Sequence, residues 1–193
     1  MPLSLSKGQN ISLTKQAGPS GLTTVGIGLG WDARTTDGSP FDLDSSAIVV
    51  GADGAVLSDR HFVFYNNMDS GDGAVRHSGD NLTGEGEGDD EQIMLDLERM
   101  PAQADKVVII VSIYDAQNRR QSFGQVRGAY ARAINLADKS ELVRFDLSED
   151  ASTETAMVFV EVYRHAAEWK FRAIGQGYAS GLAGIARDYR VNV

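Results

Sequence analysis

The chain has 193 residues, no cysteine, and a formal net charge of −9 from 27 acidic and 18 basic side chains. That length suffices for one domain burying about 70% of the surface its unfolded chain exposes. A chain without cysteine has no disulfide scaffold, thiolate zinc site or cysteine nucleophile, and its acidic balance opposes nucleic acid and anionic lipid, which need a basic face.

The opening Met1-Pro2-Leu3-Ser4-Leu5-Ser6-Lys7 lacks the charged start and apolar stretch of a secretory signal, and Pro2 stands where myristoylation needs glycine. No window approaches the ~20 apolar residues of a membrane-spanning helix. The expectation is a soluble intracellular protein. From residue 24, Val25, Ile27, Leu29 and Trp31 alternate with Thr24, Gly26, Gly28 and Gly30. Period two predicts a strand, and the glycines predict close packing over its other face. Further strands are expected at Ala47 to Val50, His61 to Tyr65, Ile93 to Leu97, Lys106 to Tyr114 and Thr155 to Tyr163, with weaker patterns at Leu142 to Leu147 and Glu168 to Ala173. Val107 to Val111 is apolar on both faces and reads as a central strand. Helical pattern is scarce: Ala179 to Tyr189 carries Leu182, Ile185, Ala186 and Tyr189 on one face, and short helices are expected near Arg99 to Ala104 and Gln121 to Tyr130. Many closely spaced strands predict a mainly β fold, a two-sheet β-sandwich with a few short helices, as a single domain over 1–193.

The charge is concentrated. From Trp31 to Glu91 there are 14 acidic and 3 basic residues, a net of −11, while the other 132 positions net +2. Within that third, Asp69 to Glu91 nets −7 over 23 residues. Four pieces set oxygen donors among glycines: Gly30-Trp31-Asp32, Phe41-Asp42-Leu43-Asp44, Asn66 to Gly73, and Gly79 to Glu91. Calcium takes about six to eight oxygens from carboxylates, amides, carbonyls and water, and crowded carboxylates repel one another unless a cation neutralises them. A block of like charge also reads as a solvated loop. Asp32, Asp42 and Asp44 sit at strand ends, however, where acids can converge on one rim. An EF-hand is excluded, because Leu82 and Gly84 occupy ligand positions and Glu85 the glycine position. His61, His77 and His165 have no metal-ligand spacing and read as structural or surface residues, and Ser180 completes no nucleophile elbow.

The stretch Gly79-Asp80-Asn81-Leu82-Thr83-Gly84-Glu85-Gly86-Glu87-Gly88-Asp89-Asp90-Glu91 resembles the signature of the TerD family of bacterial tellurium-resistance and stress-response proteins. Gly28 to Asp32, Phe64-Tyr65-Asn66-Asn67, Ser122 to Arg127 and Gly175-Gln176-Gly177-Tyr178 extend the resemblance over nearly the whole chain. It implies a cytoplasmic β-sandwich that binds two calcium ions and has no established catalysis. It further implies a scaffold role beside other tellurium-resistance proteins, including membrane-bound ones. The metal ligands it implies are Asp32, Asp42, Asp44, Asn66, Asn67, Asp80, Asn81, Asp89, Asp90 and Glu91, with backbone carbonyls of Thr83 and Gly86. Asp69 and Asp72 are second-tier candidates. Alternative readings are a metal-dependent phosphoester hydrolase and a calcium-bridged membrane module.

Overall fold

A strand with apolar residues on one side needs a second apolar surface, and here two sheets supply it to each other. A computed structural model of the chain describes residues 2–32, 38–79, 88–147 and 153–193. The chain runs β1 (Leu3–Leu5), β2 (Asn10–Ser12), α1 (Leu13–Ala17), β3 (Thr24–Gly30) and β4 (Leu43–Gly51). It continues with β5 (Phe62–Val63), β6 (Val75–His77), β7 (Glu91–Asp96), β8 (Ala104–Ile113) and α2 (Ala116–Arg119). It ends with β9 (Tyr130–Asn135), β10 (Ser140–Asp146), β11 (Ala156–His165), β12 (Glu168–Tyr178) and α3 (Gly181–Asp188).

One six-stranded sheet has the order β1-β10-β9-β3-β7-β6 and the other β2-β12-β11-β8-β4-β5. Among the described pairings only β1 with β10 is parallel. Val25, Ile27 and Leu29 of β3 and Val107, Ile109 and Val111 of β8 meet in the core between the sheets. Val108 and Ile110 point the other way, into a second cluster with Ile48, Val50, Ile185 and Ala186. The central strand is therefore apolar on both faces because α3 covers its outer side.

The glycines of β3 face outward and are covered. A Cβ on Gly28 would overlap the Asp89 carboxylate, and one on Gly30 would meet the Tyr130 ring. One on Gly26 would come within 3.0 Å of Gln92 Nε2 and Leu136 Cδ2, the far ends of flexible side chains.

Several local expectations are corrected. No helix forms at Arg99 to Ala104. The Glu98 and Arg99 amides bond Asp96 Oδ1, each at 3.1 Å, which turns the chain, and Ala104 already begins β8. Gln121 to Tyr130 is not a continuous helix but a short 3-10 turn at Phe123–Gln125, with Ser122 and Gln125 forming a capping box. Its end opens β9, which hydropathy misses because Ala131 and Ala133, fully buried, carry little apolar bulk. The strand expected from His61 to Tyr65 shrinks to Phe62–Val63, preceded by a 3-10 turn at Asp59–His61.

Replacing Gly28 with alanine is expected to cost roughly 1–3 kcal/mol, because the added methyl displaces Asp89 from the strand it covers. Gly26→Ala, facing movable side chains, should cost less. Urea unfolding of the two variants checks the order, and equal losses would contradict it.

Candidate metal centre

The pairing of β3 with β7 sets Leu29 opposite Glu91, which brings Asp89 and Asp90 beside the end of β3. Backbone bonds lock this junction: Asp90 N–H donates to Leu29 O at 2.8 Å, and Trp31 N–H donates to Asp90 Oδ2 at 2.8 Å. Asp32 follows, its amide donating to Arg127 O at 2.9 Å and its carboxylate lying against the Cα of Gly128. Gly128 has φ +64°, and a side chain there would strike the carboxylate.

These acids feel one another. Burial raises the Asp90 pKa above the ordinary carboxylate value, and the charges of Asp89, Glu91 and Asp32 raise it further, against the lowering effect of the Trp31 amide. Asp89 is largely compensated. Its Oδ1 accepts from Arg132 Nε at 2.8 Å and from Tyr130 Oη at 2.9 Å. Burial, then the Asp89 charge, pushes the Tyr130 phenol up to about 12. The bond to Asp89 raises the Arg132 guanidinium against its partial burial, with Glu141 adding to it at 2.8 Å.

Glu91 points inward instead. Its Oε2 accepts the Ser45 amide at 2.8 Å and the Ser45 hydroxyl, and lies 3.3 Å from His77 Nε2. Ser45 Oγ is 2.9 Å from His77 Nε2, while His77 Nδ1 accepts the Gly79 amide at 3.0 Å. With Nδ1 accepting, the neutral ring carries its hydrogen on Nε2, toward Glu91 and Ser45. All three residues are buried. Ser45 belongs to one sheet and His77 and Glu91 to the other, so the cluster staples the sheets and fixes both ends of the segment 80–90.

The other candidates separate. Asp42 is buried just ahead of β4, and its carbonyl accepts the Tyr114 amide at 2.8 Å. Asp44 lies on the outer face of β4, in a cleft with Phe64 and Tyr65. Asn66 is exposed, whereas Asn67 donates its amide to Arg60 O at 3.0 Å and Phe62 O at 2.7 Å, closing a turn. Asp69 pairs with Arg76 at 2.9 Å, and Asp72 accepts from Ser70, Ala74 and His61. Asp80, Asn81, Thr83 and Gly86 lie outside the described residues. Among the described residues, no three His, Asp or Glu side chains converge tightly enough to hold a metal by themselves. What they show is an acidic rim, with Asp32, Asp89 and Asp90 at the ends of β3 and β7 and Glu91 turned inward beside them. Sequence reasoning missed Arg132, Tyr130 and Ser45, which come from strands without any motif of their own, whereas His77, expected as a structural or surface histidine, is a buried, hydrogen-bonded one.

A family model described as the TerD domain matches residues 1–189. The chain is 57% identical over 192 residues to the Tellurium resistance protein TerD of Serratia marcescens, spanning 100% of this chain and 99% of that one. It is 51% identical over 194 residues to General stress protein 16U of Bacillus subtilis (strain 168), spanning 100% of each. The crystal structure of a homologue of telluride resistance protein (TerD) from Streptomyces coelicolor A3(2) matches with a TM-score of 0.69 at 27% identity, over 86% of this chain and 96% of that one.

Asp90→Asn tests the cost of burying this carboxylate among like charges. The variant keeps an acceptor for the Trp31 amide and loses the charge. Because the folded-state pKa is raised, the native state binds the proton more tightly than the unfolded chain. The ionised group therefore subtracts from stability above that pKa, and the loss vanishes as pH falls below the unfolded value. With chelator present, Asp90→Asn is expected to be more stable than the parent at neutral pH and no more stable near about pH 3. Urea unfolding at both pH values reads this out; a variant less stable at neutral pH would contradict it.

Proposed function

This chain belongs to the TerD domain family of bacterial tellurium-resistance and stress-response proteins, and on that premise we propose that it is a calcium-binding module. The observation that carries the reading is the partly buried Asp90 carboxylate, whose pKa is raised first by burial and then by repulsion from Asp89, Glu91 and Asp32. A divalent cation relieves that repulsion, and calcium suits it best. It accepts many oxygens at flexible geometry, as carboxylates and carbonyls on a glycine-rich segment can offer.

In this reading Asp32 and Asp90 are the leading described ligands. Asp80, Asn81 and the carbonyls of Thr83 and Gly86 supply further oxygens. Asp42, Asp44, Asn66 and Asn67 are not needed for this ion: Asn67 closes a turn and Asp44 lines an aromatic cleft. Asp89 contributes its field while Arg132 and Tyr130 hold one of its oxygens. Glu91 keeps Oε2 in the buried cluster with Ser45 and His77. Bound calcium neutralises the acidic rim, which serves as a calcium-dependent interaction module for other tellurium-resistance proteins.

Ion binding confined to the folded state stabilises it by about 2.7 kcal/mol at a hundredfold excess over Kd. Calcium should therefore raise the melting temperature by several degrees, while sodium at equal ionic strength changes it little. Asp32→Asn should abolish most of that rise. Asp138→Asn should preserve it, because Asp138 sits on the β9–β10 turn and bonds Ser140. Melting curves unchanged by calcium, with no heat in titration calorimetry, would overturn the assignment.

A further inference from the structure

On the outer face of the second sheet, a cleft of about 250 Å³ opens where the start of β4, the end of β8 and the start of α3 meet. Asp44, Phe64, Tyr65, Tyr114, Asp115 and Leu182 line it. Its rings form a continuous wall: Phe62 stacks on Phe64 with centroids 4.8 Å apart, and Tyr65 meets Phe64 edge-on at 5.5 Å. Tyr65 and Tyr114 remain 40% and 49% exposed, the two aromatic rings among the described large hydrophobic side chains left at the surface. Both charged side chains of the lining are carboxylates. Asp115 is held at the mouth, with φ +50° and its Oδ1 accepting Asn118 Nδ2 at 2.7 Å. The Tyr114 ring already attracts one guanidinium, with Arg119 Cζ 5.2 Å from its centroid.

Aromatic faces beside carboxylates favour a particular ligand chemistry. The π faces attract a weakly hydrated cation and shelter an alkyl stem, and the carboxylates bond its N–H groups. They suit calcium poorly, because rings offer a hard cation no oxygen. An anion would meet two negative groups. We infer that this cleft binds an organic cation, an alkylguanidinium or alkylammonium group, with its charge on the carboxylates and its stem against Phe64, Tyr65 and Leu182. The same chemistry is carried by a free polyamine and by an arginine or lysine side chain of a protein partner. The inference does not depend on the calcium reading, and Asp115 and Tyr114 lie outside the proposed metal ligands.

The test is an amide NMR titration of the full chain in moderate salt, run once with chelator and once with saturating calcium. The probes are agmatine, spermidine and the peptide Gly-Gly-Arg-Gly-Gly with blocked ends, with butylurea as the uncharged control. Agmatine or the peptide is expected to shift the amides of Phe64, Tyr114, Asp115 and Leu182 saturably, and butylurea is not. Whichever probe binds more tightly identifies the source. Tyr114→Ala and Asp115→Asn should each weaken binding about fivefold, a loss of roughly 1 kcal/mol. Because both side chains are exposed, melting temperatures should hardly move. Cleft amides that do not respond to any cation would overturn the inference. So would shifts confined to Asp32, Asp89 and Asp90, or binding unchanged in both variants. A calcium-insensitive melting curve would count against the metal reading alone.

Discussion

A buried carboxylate holds the acidic rim in place. Glu91 accepts both the amide and the hydroxyl of Ser45 and lies beside His77, whose other ring nitrogen takes the Gly79 amide. A buried carboxylate is costly to keep unless its lone pairs are satisfied, and these donors satisfy one of its oxygens. The same bonds tie one sheet to the other and pin the chain on either side of residues 80–90. Asp89 and Asp90, just ahead of Glu91, are thereby held beside the end of β3, and Asp32 is held there separately by its amide bond to the Arg127 carbonyl.

Partial compensation is built in around the crowd. Arg132 and Tyr130 meet Asp89, and the Trp31 amide meets Asp90, yet Asp90 still sits above the ordinary carboxylate range. The glycine face of β3 makes this arrangement possible, because Asp89 folds over Gly28 and Tyr130 over Gly30. Bulkier residues there would push both side chains off the strand. The rim thus depends on a backbone feature, two staggered glycines, and on a cross-sheet staple. The residual charge is what a cation would neutralise.

Much of this was legible in the residues. Alternating glycines in β3 announced a covered face, and an apolar run in β8 announced a strand buried on both sides. The leucine, isoleucine, alanine and tyrosine spacing near the C-terminus announced α3. Other parts were hidden for identifiable reasons. Ser45 lies 32 positions from His77 and 46 from Glu91, so no local pattern links them. Strand β9 carries alanines where bulk would signal a strand, and with it Tyr130 and Arg132 were lost from view. Asp42 and Asp44 looked equivalent at a spacing of two. The structure buries Asp42 at the strand entrance and turns Asp44 toward an aromatic cleft.

Crystals grown with calcium and measured for anomalous scattering address the central claim most directly. Anomalous peaks are predicted at the rim, within calcium–oxygen bonding distance of Asp32 and Asp90 and of oxygens from residues 80–87. A well-ordered rim in saturating calcium, with no anomalous peak among these carboxylates, would contradict the account.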